Sequence, residues 1–203
     1  MTHSPDTVRR TGSRRTAAER LTCPACHGSI ATGASHCPSC RFTGGDTMAM
    51  FPGAPPPLLP ILDVADVWNA SDIRLIDAAR TDVEKRFPQF RWRFCALDMP
   101  PGVKLNLLGF WLLNAAPLVP PETEQDRAWT VLLIINRSNG HAAVIPGYAA
   151  EPWITDPAWL DALREMRLPW RSGESGKAVT AFLNASRKLL EREWKNLRPS
   201  SSI

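Results

Sequence analysis

The sequence predicts a layered α/β domain with a small mixed sheet, preceded by a small four-cysteine zinc ribbon. Three observations carry this. Apolar residues alternate between helical and strand-like spacing from about residue 61 onward. Arg137-Ser138-Asn139-Gly140 sets Asn-Gly between two apolar runs, a strong hairpin signal. Cys23-Pro24-Ala25-Cys26 and Cys37-Pro38-Ser39-Cys40 stand ten residues apart, each pair with the two-residue gap of a zinc knuckle.

In chain order, residues 1–20 read as a basic disordered tail. They hold five Arg against Asp6 and Glu19, a balance of +3 out of the chain's net +4. Residues 21–42 form the zinc ribbon, with Gly33 suited to the turn between its knuckles. A tetrahedral zinc ion takes four thiolates at roughly 2.3 Å, and Cys23, Cys26, Cys37 and Cys40 complete that set. Two disulfides in a secreted knot are the alternative pairing. His27 and His36 flank the knuckles as surface or supporting residues. Residues 43–60 carry Gly44, Gly45 and five prolines between Pro52 and Pro60, a composition of extended spacers rather than helices.

Residues 61–195 carry the α/β pattern. Asn69-Ala70-Ser71-Asp72 supplies helix caps ahead of Ile73, Ile76, Ala79, Val83 and Phe87, and Pro88 ends that helix. Arg91 to Leu97 alternates as a strand, with Trp92, Phe94 and Ala96 on one face. Val103 to Ala115 reads as a buried helix, Pro117 to Gln125 as a loop, and Trp129 to Asn136 as a strand apolar on both faces. The Asn-Gly turn returns His141 to Pro146 as its antiparallel partner. Asp156-Pro157 opens a helix through Met166, and an amphipathic helix runs from about Ser175 to Trp194. The predicted order is α-β-α-β-β-α-α, with the first two strands parallel. Residues 196–203 read as a second tail. Eight Trp against one Tyr predict heavy aromatic packing.

No apolar signal segment stands in the first 20 residues, and no run of about 18 apolar residues exists. The expected location is cytoplasmic with no membrane span, where a reducing medium favours thiolate–zinc over disulfides. Lone Cys95 reads as a small buried hydrophobe. Ser172-Gly173-Glu174-Ser175-Gly176-Lys177 fails as a phosphate loop. Arg171 stands where its first glycine belongs, and Ala178 where Ser or Thr should hold magnesium.

Several short motifs fall in a familiar order. They are Leu62-Asp63-Val64-Ala65-Asp66, then Asn106-Leu107-Leu108-Gly109-Phe110-Trp111, then the strand from Trp129 to Asn136. Gly147-Tyr148, Glu151 and Ile154-Thr155-Asp156 follow, and Pro169-Trp170-Arg171-Ser172-Gly173 ends the series. Over residues 61–195 this order resembles the TPM-domain family, named for a thylakoid-lumen phosphatase, a photosystem-repair protein and an acetylcholine-receptor modulator. Ala149 replaces one glycine of the family pattern. The resemblance implies a three-layer α/β sandwich. Some members are described as acid phosphatases and some bind calcium. A second metal or phosphatase site, holding calcium or magnesium, would draw on Asp63, Asp66, Asp98, Glu151 and Asp156. Asp156 also reads as a plain helix cap.

Three functions follow as expectations. The first is a protein-interaction or scaffold module carrying structural zinc. The second is a divalent-metal-dependent acid phosphatase. The third is nucleic-acid binding through the ribbon, with Arg9, Arg10, Arg14, Arg15, Arg20 and Arg41 on phosphates.

Overall fold

A computed structural model describes residues 20–99, 102–154 and 156–197. Two short strands, β1 (Arg20–Thr22) and β2 (Ser29–Ala31), pair antiparallel and open the chain. Helix α1 (Gly44–Met50) follows, capped reciprocally by Thr43 and Asp46. Strand β3 (Ile61–Asp63) leads to helix α2 (Ala70–Arg86). Asn69 caps α2 by accepting hydrogen bonds from the N–H groups of Ser71 and Asp72. Strand β4 (Arg91–Leu97), helices α3 (Leu105–Ala115) and α4 (Glu124–Ala128), and strands β5 (Thr130–Asn136) and β6 (His141–Pro146) come next. A single turn of 3₁₀ helix at Glu151–Trp153 precedes α5 (Asp156–Arg171) and α6 (Ser175–Leu197).

The sheet has the order β3-β4-β5-β6. Its first three strands are parallel, and β6 returns antiparallel beside β5. The Asn-Gly turn works as its chemistry predicts. Gly140 takes φ +66°, and Asn139 Oδ1 accepts the His141 N–H at 2.9 Å.

Helices cover both faces. On one, Trp92, Phe94, Ala96, Val131, Leu133 and Ile135 pack against α2, α5 and α6. Trp92 meets Trp159 and Phe182 edge-on, with ring centroids 6.1 and 5.9 Å away. On the other face, Cys95, Leu132, Ile134, Ala143 and Ile145 pack against α3. Gly109 lets α3 lie close, since a Cβ there would stand 2.6 Å from Ile145 Cγ1. The strands step one way from β3 to β5, yet α2 and α3 occupy opposite faces. The two crossovers therefore have opposite hands, and one is of the uncommon left-handed kind.

Four features differ from the sequence expectation. Strand β3 precedes the first predicted helix and joins the sheet. It is three residues long and follows Pro60, too short to show a period. Helix α4 starts inside the expected 117–125 loop, on a capping box of Thr123 and Asp126. Helix α5 runs through Pro169 to Arg171. Residues 43–60, expected as a spacer, contain α1 and lie along the domain. Phe51 packs on Trp111 at 5.3 Å between centroids, and the buried Leu58 donates its N–H to Pro117 O at 2.9 Å.

Candidate metal centre and the cleft beside it

The two Cys-x-x-Cys segments fold alike. His27 N–H donates to Cys23 O and Arg41 N–H to Cys37 O, each at 2.8 Å. Cys23 N–H reaches Gly28 O and Cys37 N–H reaches Phe42 O, again at 2.8 Å. The residue after each second cysteine is left-handed, His27 at φ +59° and Arg41 at +64°. That reversal aims a further N–H at a sulfur, as Gly28 does to Cys26 Sγ at 3.4 Å. Two such turns, brought together by the β1–β2 hairpin, place all four sulfurs within 4.8 Å of one another.

The spacing tests whether a metal fits. Cys23 and Cys40 sulfurs stand 3.7 Å apart, as do those of Cys26 and Cys37. A tetrahedron with roughly 2.3 Å bonds has edges of about 3.8 Å. All five cysteines are free, and these four match a soft cation's donor set. Their electrostatics agree. For Cys37, burial opposes ionisation, but N–H groups of Cys40 and Ser39 and the neighbouring thiols bring its pKa down to about 6. For Cys40, the Phe42 N–H favours the thiolate, yet burial and the other three sulfurs push it up to about 12. Burial raises Cys23 as well. Four sulfurs this close ionise together only around a cation.

The knuckles dock on α3. Buried Cys23, Cys37 and Phe42 join Leu107 in one apolar cluster. Phe42 meets Phe110 edge-on at 5.9 Å. Polar contacts ring the cluster. Asn106 Nδ2 and His27 Nε2 lie 3.2 Å apart, and Lys104 Nζ donates to Ala25 O at 3.3 Å. Thr22 N–H donates to Glu151 Oε1 at 2.7 Å. A cleft of about 890 Å³ opens between the module, α3 and β6.

Among the described side chains, the other candidate acids do not converge on one point. Asp63, at the carboxyl end of β3, accepts the N–H groups of Val67 and Trp68 at 3.0 and 2.8 Å. Asp66 is exposed in a left-handed turn, φ +52°. Asp98 pairs with Arg137 at 2.7 Å. Glu151 binds β1, and Asp156 opens α5, its side chain outside the described ones. Among the described residues, the cysteines are the only set of three or more ligand-type side chains that converge. Arg9, Arg10, Arg14 and Arg15 lie outside the described residues, as does the Arg20 side chain. Arg41 is exposed on the second knuckle. His36 stays with Ser35 at the surface, His141 is exposed, and buried Cys95 has its thiol pushed up to about 12 by burial.

Sequence reasoning missed the dock on α3. Leu107 and Phe110 read as part of a buried helix, and Phe42 as an aromatic at the end of the ribbon. It also missed Asn136, buried at the carboxyl end of β5. Its Oδ1 accepts from Ser138 Oγ at 2.8 Å and from Met99 N at 3.3 Å. A polar residue closing an otherwise apolar strand is the signal that could have found it.

The chain is similar to several solved structures. The N-terminal domain of a P. gingivalis protein matches at TM-score 0.51 and 12% identity, over 76% of this chain and 94% of that one. The BA42 protein of the psychrophilic bacterium Bizionia argentinensis gives TM-score 0.48 at 11% identity, over 64% of this chain and 86% of its own. The N-terminal domain of the cg2496 protein of Corynebacterium glutamicum gives 0.48 at 17%, over 71% and 85%. At 12% identity the first match shows the fold and nothing of function. No family model and no curated protein matches the chain. Among the described residues, no helix is long and apolar enough to cross a membrane.

Proposed function

We propose that this chain is a protein-interaction module: a structural zinc ribbon, residues 21–42, mounted on an α/β domain, residues 61–195, through the segment 43–60. One observation carries the reading. The four sulfurs close on one another, two pairs at the 3.7 Å of a tetrahedral edge, so an ion bound there would have every position filled by protein. A centre closed in this way holds structure and leaves no position for a substrate. Zinc held by Cys23, Cys26, Cys37 and Cys40 would clamp the two turns into a stiff hairpin surface beside an open cleft.

The motif order across residues 61–195 supports reading the larger domain as TPM-like. The phosphatase alternative draws little from the geometry. Asp63 spends both carboxylate oxygens on backbone N–H groups, and Asp98 is paired with Arg137. Thiolate ligation also favours a reducing compartment, consistent with a cytoplasmic protein.

Elemental analysis of the purified chain tests the reading. The expected result is one zinc per chain, lost in Cys23→Ser/Cys37→Ser, with no stoichiometric calcium. Absence of zinc from protein purified under reducing conditions without chelator would overturn it. So would calcium- or magnesium-dependent phosphate release that disappears in Asp98→Ala.

A further inference from the structure

We propose that the outer edge of β6 docks an extended acidic peptide, which adds to the sheet as a fifth strand; this rests on the interaction reading above. Strand β6 is the last in the sheet order. Its ladder parity follows from two facts. Gly147 N–H donates inward to Thr130 O at 2.7 Å, and Pro146, which has no N–H, stands opposite Val131. Ala143 and Ile145 therefore bond toward β5, while Ala142 and Val144 turn their N–H and C=O groups outward. Among the described residues nothing pairs with those outward groups. Pro146 blunts only one end of the edge.

The edge is open to a ligand. The 890 Å³ cleft beside the zinc module and a second cavity of about 660 Å³ share Ala142, Leu160 and Leu163. They form one groove between β6 and α5. Six strand residues span about 20 Å, room for a peptide of similar length. Leu160, Leu163 and Trp170 on α5 supply an apolar wall.

Charge selects the occupant. Arg164, Arg167 and Arg171 recur along one side of α5 and line the second cavity, which no acidic side chain lines; Glu124 and Glu151 stand in the first, so the arginines set the charge at the α5 end of the groove. Arg164 pairs with Asp161. Among the described residues, Arg167 and Arg171 have no acidic partner. A row of main-chain donors and acceptors beside an apolar wall suits a peptide strand, whose backbone supplies affinity and whose alternate side chains supply specificity. The arginines favour carboxylates on that strand.

The test is fluorescence anisotropy with the full chain and a fluorescein-labelled octapeptide of alternating valine and glutamate. Saturable binding is expected. It should weaken at least tenfold when alternate peptide amides are N-methylated, and at least tenfold in Arg164→Glu/Arg167→Glu/Arg171→Glu. Arg74→Glu on α2 should leave it unchanged. Zinc content is measured on each protein. A zinc-loaded chain that shows no saturable binding sinks the groove alone, whereas loss of zinc from the unaltered chain sinks the underlying reading. Equal binding of a valine–lysine peptide or of the N-methylated peptide overturns the proposal. Displacement by oligothymidylate would assign the groove to nucleic acid instead. A dimer by sedimentation, with no peptide bound, would assign the edge to a second copy.

Discussion

Arg93 lies inside β4 at 2% exposure, a position where an unpaired charge is untenable. Its guanidinium forms an ion pair with Glu122 and donates to Trp92 O at 2.9 Å, with Glu84 at 4.0 Å. Burial nevertheless brings its pKa down to about 10. The pair ties the segment before α4 to the sheet. Arg93→Ala strands Glu122 and is expected to lose about 3–5 kcal/mol in urea unfolding. A loss below about 1 kcal/mol would show the pair to be ornamental. Gly147 is fixed by a different constraint. A Cβ there would stand 2.5 Å from Ala128 O and 2.6 Å from Arg127 O, both backbone atoms that cannot swing aside. Gly147→Ala is expected to cost about 1–3 kcal/mol by the same measurement, as overpacking does. The sequence marked Gly147 only as the close of a strand within a short motif. Its contact with the end of α4 was not legible, because that contact spans two elements.

At the scale of elements, α4 shows what short helices depend on. Five residues cannot hold a helix by themselves. Thr123 and Asp126 cap it reciprocally, Arg91 of β4 pairs with Asp126 at 2.9 Å, and Arg127 donates to Leu113 O and Ala116 O. Burial of Asp126 works against ionisation, but the Thr123 N–H and hydroxyl and Arg91 outweigh it, leaving the pKa below the ordinary 3.8. A carboxylate with a depressed folded pKa adds stability that is full above the unfolded value and fades as pH falls through the folded one. Asp126→Asn should therefore flatten the decline in stability below about pH 4, read as denaturation midpoint against pH. An unchanged acid limb would remove Asp126 from the account. The longer elements were readable. Asn69 caps α2, and β4 and β6 run over the residues their patterns marked. Elements α1, β3 and α4 were not, since each is short and held by neighbours rather than by its own period.

For the whole molecule, the four-cysteine module and the sheet are joined through α3. Phe110 and Leu107 belong to the knuckle cluster, while Leu112 and Leu113 on the same helix face the sheet. The joint predicts graded stability. Chelating the metal should raise amide exchange across residues 21–42, while β4 and β5, buried between two helical layers, keep their protection. Equal loss of protection in both regions would mean that the module and the domain unfold as one unit. Truncating the joint with Phe42→Ala should cost about 3–5 kcal/mol, the range for a buried phenylalanine.

By itself, the sequence determined the local chemistry. Cysteine spacing defined the two knuckles, Asn-Gly closed the β5–β6 hairpin, and apolar periods marked the main helices and strands. Each of these signals is written in residues a few positions apart. Tertiary structure alone decided how the knuckles sit on α3, that β3 completes a four-stranded sheet, and that Asp63, Asp98 and Glu151 each bond elsewhere. It also left the edge of β6 open beside the arginines of α5. Those outcomes depend on contacts between residues tens of positions apart, such as Thr22 with Glu151 and Arg93 with Glu122. No local pattern encodes such pairs, because they are set by which faces the packed layers bring together.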